Sequence, residues 1–260
     1  MSWFAVFLYL YAAGISGALA LVPAADLGRG FFKAHGWILL TLVILATVIG
    51  KPLMGGSVAG PRLLVEILAW AIAVDVLIVT WLVAVTERPI NPVAYLMPVM
   101  TAAGLAVLIA VGRTPGRVGE TMAMSAHLAT SGALLGSSLV AMILGHWYLQ
   151  NASLSFGILA RLSKFFLGSA IAKAGVSALY LAPEAGRWWP RLLSDFDGLL
   201  VLTRVGAGLV APIAFGFMVL SCARAKANQS ATGILYVAVI FALVGELISI
   251  YMTLGRGIPL

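Results

Sequence analysis

The chain has 260 residues, of which 62% are hydrophobic and only 10% charged, with a mean hydropathy of +1.07. A soluble domain carries about 25% charged residues, so this composition excludes one and points to an all-α, polytopic integral membrane bundle with no soluble domain. The net charge of +7 does not point to nucleic acid, because the basic residues sit in short loops between apolar runs, where they anchor helix ends at lipid headgroups.

Hydropathy and turn chemistry predict about eight transmembrane helices in one domain, over residues 3–22, 33–50, 62–85, 93–111, 119–148, 154–180, 198–221 and 231–253. The first run has no basic segment before it and is long enough to span, so it reads as a retained helix rather than a signal peptide. The loops are punctuated by Pro23, Gly28 and Gly30, by Pro52, Gly55 and Gly56, and by Pro89, Pro92, Pro115 and Gly116. Asn151-Ala-Ser153 fits a glycosylation acceptor but lies too close to the membrane to serve as one. Basic residues divide between the two ends of the bundle and do not orient it. Side one denotes the side of the N-terminus and side two the opposite one. The one cysteine, Cys222, excludes an intrachain disulfide and a cysteine-ligated cluster.

The fifth span holds two of the three histidines, His127 and His146, and no charge occurs between Glu120 and Arg161. At ~1.5 Å per residue these histidines stand roughly 28 Å apart along a helix, near opposite membrane faces. Between them Ser125, Ala129, Gly132 and Gly136 form a seam of small residues that admits a close neighbour. The span is therefore expected to be central. Gly14-Ile-Ser-Gly17 and Gly206-Ala-Gly208 are packing signals of the same kind.

Ionisable groups inside a membrane are costly and usually face a cavity or one another. Counting from helix ends places Glu66, His127, Lys173, Arg204 and Glu246, from five different helices, in the side-one half. Glu66, Lys173 and Arg204 lie close enough to an end to snorkel to water. Glu246 is harder to dismiss, because a carboxylate near a helix C-terminus meets an unfavourable dipole that a cation would relieve. A set of this kind can hold a quinone or quinol head group, whose carbonyl oxygens need hydrogen-bond donors, and pass its protons. Asp75 lies near the midplane, on the face of its helix opposite Glu66.

On side two, His35 and His146 lie near the interface with Gly36 and Gly145 beside them. Two facing imidazoles can ligate one b-type haem axially. The alternative is an interfacial belt with Trp37, Trp147 and Tyr148. Three histidines cannot supply two bis-histidine haems.

The last span reads Gly245-Glu-Leu-Ile248 and continues through Tyr251 to Gly255-Arg-Gly257. It resembles the closing helix of the membrane anchors of the dimethyl sulfoxide reductase and polysulfide reductase type. The resemblance covers the C-terminal helix alone. It implies a non-autonomous subunit of a bacterial inner-membrane, respiratory-type complex, exchanging electrons between quinone and a partner redox subunit; it does not imply haem. The rival expectations are a b-type cytochrome subunit, a small-solute or ion transporter that uses Asp75 and the charged cluster, and a structural membrane subunit.

Overall fold

The structure is a computed structural model. It describes residues 3–50, 59–85, 117–150, 154, 156–183, 185–191, 193–256 and 258. The long helices are α1 (Trp3–Ala20), α2 (Ala24–Gly50), α3 (Ala59–Val85), α4 (Val118–Gln150), α5 (Phe156–Leu181), α6 (Phe196–Arg224) and α7 (Asn228–Gly255), and a short helical turn, Ala185–Trp188, lies between α5 and α6. No strand occurs among the described residues. Six of these helices are long and apolar enough to cross a membrane, and α3 adds an apolar stretch, Trp70–Leu82. The fold is thus an all-helical, membrane-type bundle. The expected span 93–111, the loop residues Pro52, Gly55, Gly56, Pro89, Pro92, Pro115 and Gly116, and Asn151-Ala-Ser153 lie outside the described residues.

Sequence explains where the helices break. α2 begins before Gly28, earlier than the expected residue 33. Gly28 takes φ +69°, a conformation that side-chain-bearing residues rarely adopt, so the chain turns there before it enters the membrane segment. α6 opens on Asp195, whose carboxylate accepts from the Gly198 amide at 2.6 Å and caps one of the unpaired N-terminal donors. Within α6 a π-helical turn, Gly206–Val210, precedes Pro212. Proline has no N–H to give to the carbonyl four residues back, that of Gly208, and the ladder widens locally.

α4 is central, packing on α1, α5 and α7. The small-residue seam is the α1 contact. A Cβ on Gly14 would run into the backbone of Gly132, and one on Gly136 into that of Gly14 and Ile15. Only glycines let two helices approach so closely. α2 lies on α1, and α3 lies on α2. The outer surfaces are apolar, with Trp37, Ile44 and Val48 on α2, Trp70, Leu77 and Trp81 on α3, and Phe217 and Ile240 on α6 and α7 exposed. Such continuous apolar surface suits hydrocarbon rather than water.

Candidate functional site

Four of the expected side-one residues meet. His127 lies nine residues in from Val118, Lys173 eight short of Leu181, Arg204 eight in from Phe196, and Glu246 nine short of Gly255. At ~1.5 Å per residue all four stand roughly 12–14 Å below the same bundle end. Each has no exposed surface. Glu66 lies on α3, whose main packing is against α2, and its side chain lies outside the described residues. Asp75 lies on α3 as well, with one buried oxygen lacking a hydrogen-bond partner among the described residues.

Lys173 is the hub. Its Nζ donates to Ser131 Oγ at 2.7 Å and to the His127 carbonyl at 3.1 Å. It stands 3.2 Å from the His127 ring nitrogens and 3.4 Å from Glu246 Oε2. Ser131 donates its own proton to the His127 carbonyl at 2.9 Å. On the far side of the carboxylate, Arg204 Nη1 lies 3.1 Å from Glu246 Oε1. Both Glu246 contacts are at ion-pair distance, but neither carboxylate oxygen receives an aligned hydrogen bond from the described residues. The attraction is therefore chiefly Coulombic.

The π turn explains how Arg204 is held. The Gly208 carbonyl, deprived of a donor by Pro212, accepts from Arg204 Nη1 at 3.0 Å. Nη2 donates to Ser177 Oγ at 3.3 Å, and Nε has no acceptor among the described residues. Opposite, Gly208 and Gly245 meet backbone to backbone, which sets α6 and α7 close enough for the Arg204–Glu246 contact.

His127 Nε2 also faces Ser249 Oγ at 3.2 Å and Thr253 Oγ1 at 3.3 Å. The Tyr180 ring stands edge-on to the imidazole, 5.8 Å between centroids, and its hydroxyl is buried without a partner among the described residues. Nearer the side-one surface, Arg256 Nη2 grips both oxygens of Asp197 at 2.6 and 2.9 Å, tying the end of α7 to the start of α6. Hydrogen bonding to that carboxylate, and then its charge, raise the Arg256 pKa above its ordinary value.

Sequence reasoning misses Ser131, Ser177, Ser249, Thr253 and Tyr180. Helical spacing carries the signal. Ser131 and Ser177 follow His127 and Lys173 by four residues, and Ser249 and Thr253 follow Glu246 by three and seven, so each shares a face with an ionisable group.

The side-two histidines occupy different settings. His35 is fully buried. Its Nδ1 donates to the Phe31 carbonyl at 2.8 Å, and its Nε2 has no partner among the described residues. His146 is exposed, and both its nitrogens are engaged, Nδ1 by the Tyr236 hydroxyl and Nε2 by Gln150, each at 3.1 Å. A haem held axially by this pair would require His146 to release a partner and a slot to open at the buried His35. The residues as placed do not fit that group.

Comparison with family models, with curated proteins and with solved structures returns no match.

Proposed function

We propose that this chain is an integral membrane subunit that binds a quinone or quinol head group in its side-one half and handles the protons of that ring, in electron exchange with a partner redox subunit. One observation carries the reading. Four ionisable side chains from four helices, all fully buried, meet in one cluster, with Lys173 and His127 linked to the hydroxyls of Ser131 and Ser249 and with Lys173 and Arg204 flanking Glu246 at ion-pair distance. Replacing such a buried ionic set by apolar residues is often neutral or stabilising, so stability alone gives a membrane bundle little reason to keep it. Intramembrane ionisable residues of this kind mark proton relays and ligand sites. His127 offers ring nitrogens that can take up and release a proton, and Lys173 and Arg204 supply donors for a carbonyl oxygen.

The partner follows from composition. One cysteine and three histidines leave this chain short of ligands for an iron–sulfur relay, so electrons would come from another subunit. The closing helix, with Gly245-Glu-Leu-Ile248, resembles that of quinone-linked anchors, which supports this role.

The test is binding of a short-chain quinone to the protein in lipid nanodiscs, read by tryptophan quenching. Wild type should bind, and Lys173→Met should weaken binding roughly tenfold, or ~1.4 kcal/mol. Equal affinity in wild type and variant would remove the site from these residues.

A further inference from the structure

We infer that the buried cluster is a binding site for a monovalent anion. This goes beyond the quinone reading, since the anion can be the deprotonated head group of a quinone-type ring or a small inorganic ion.

The first argument is charge. Four acceptor positions surround Lys173 Nζ, namely Ser131 Oγ, the His127 carbonyl, the His127 ring and Glu246 Oε2. An ammonium has three N–H to offer them where a neutral amine has two, and the Glu246 carboxylate at 3.4 Å favours the charged form, so Lys173 pairs with it as an ammonium. Arg204 is charged in any protein setting. Nζ stands 3.2 Å from both His127 ring nitrogens, and a cation that close disfavours a second one, so His127 is neutral. Against these two cations the described residues place one carboxylate, Glu246, in the cluster. Nearer the surface, Arg117 pairs with Glu120 and Arg256 with Asp197. Among the described residues the cluster therefore holds one uncompensated positive charge with no exposed surface. Burying a lone charge is among the most expensive things a fold can do.

The second argument is hydrogen bonding. Two buried donors lack an acceptor among the described residues, Arg204 Nε–H and the Tyr180 hydroxyl. Arg204 borders the cluster at Glu246 and Tyr180 at His127. Ser177, which receives Arg204 Nη2, precedes Tyr180 by three residues on one face of α5. A water molecule would satisfy the donors and leave the charge. One anionic acceptor satisfies both.

The experiment uses the full chain in nanodiscs with three probes. They are 2-hydroxy-1,4-naphthoquinone, which is an anion at neutral pH, uncharged 1,4-naphthoquinone, and thiocyanate. The hydroxyquinone should bind in its anionic form, judged by its visible spectrum, at least roughly tenfold tighter than the uncharged ring, and thiocyanate should displace it. Glu246→Gln adds one unit of positive charge and should tighten the anion, while Lys173→Met should abolish its binding. That opposite sign separates a charge effect from structural damage, which would weaken both. Tyr180→Phe, which removes a single hydroxyl, should weaken the anion alone and covers the case in which a charge variant fails to fold. If neither ring binds but thiocyanate raises the melting temperature of wild type and not of Lys173→Met, the anion site stands and the quinone reading falls. If the uncharged ring binds as tightly as the anion, or Glu246→Gln weakens the anion, the inference is overturned and the quinone reading survives. No response to any anion overturns it as well.

Discussion

Gly208 of α6 and Gly245 of α7 cross so closely that a Cβ on Gly208 would stand 2.7 Å from the Gly245 Cα. Each is tied to an ionic residue of the cluster, Gly208 through the hydrogen bond its carbonyl accepts from Arg204 and Gly245 as the neighbour of Glu246. The crossing and the ion pair are thus one construction. Gly208→Ala should push the helices apart and destabilise the bundle by roughly 1–3 kcal/mol, the usual cost of overpacking. Thermal unfolding in detergent measures it. A melting temperature within error of wild type would mean that α6 and α7 are not so close.

Removing one member of a buried ion pair exposes the cost of the other. Glu246→Leu leaves Lys173 and Arg204 facing each other without their shared carboxylate and should cost roughly 3–5 kcal/mol. Adding Lys173→Met removes one of the two repelling charges. The double variant should then recover at least about 1 kcal/mol relative to the sum of the single effects. Strict additivity would show that the 3.4 Å contact between Lys173 and Glu246 contributes nothing.

Much of the cluster is legible in the sequence itself. A polar residue in an apolar run is conspicuous, and its depth follows from counting residues, so His127, Lys173, Arg204 and Glu246 fall in one layer by arithmetic. The glycine seam on α4 announces a close neighbour for the same reason. Which helix fills that seam is not legible, because α1 shows no polar face and only Gly14 marks the contact. Nor is the role of Pro212, whose missing N–H matters only once Arg204 reaches the Gly208 carbonyl. The pairing of His35 with His146 rests on both lying near the side-two interface with a glycine beside each. Depth does not fix the angle about each helix, and the fold turns His146 to Tyr236 and Gln150 instead.

The exposed links at side one should matter far less. Arg256 and Asp197 form a two-pronged pair in reach of solvent, where such pairs contribute little. Asp197→Asn should barely change the melting temperature, and the small change should vanish in high salt. Asp195→Ala, two residues earlier, should cost about 1 kcal/mol regardless of salt, because it removes the N-cap of α6. A large, salt-insensitive effect at Asp197 would mean that this tie, and not the cluster below it, holds α6 to α7.

The sharpest test of proton handling is His127→Phe. The change keeps an aromatic ring in place, and Lys173 retains Ser131, the His127-position carbonyl and Glu246 as acceptors. Ser249 and Thr253 lose one partner at Nε2, but a helical hydroxyl can turn back to the carbonyl four residues earlier. Stability should therefore fall by only about 1–2 kcal/mol. The relay is another matter, because the ring nitrogens are the link between the Ser249 and Thr253 hydroxyls and Lys173. If His127 delivers protons to a bound quinone, uptake of protons on dithionite reduction of that quinone, followed with a pH indicator in nanodiscs, should slow by roughly 10²-fold or more. The quinone should still bind, since Lys173 and Arg204 remain to hold its oxygens. An unchanged uptake rate in a folded, quinone-loaded His127→Phe variant would route the protons elsewhere and reduce His127 to a packing partner of Lys173.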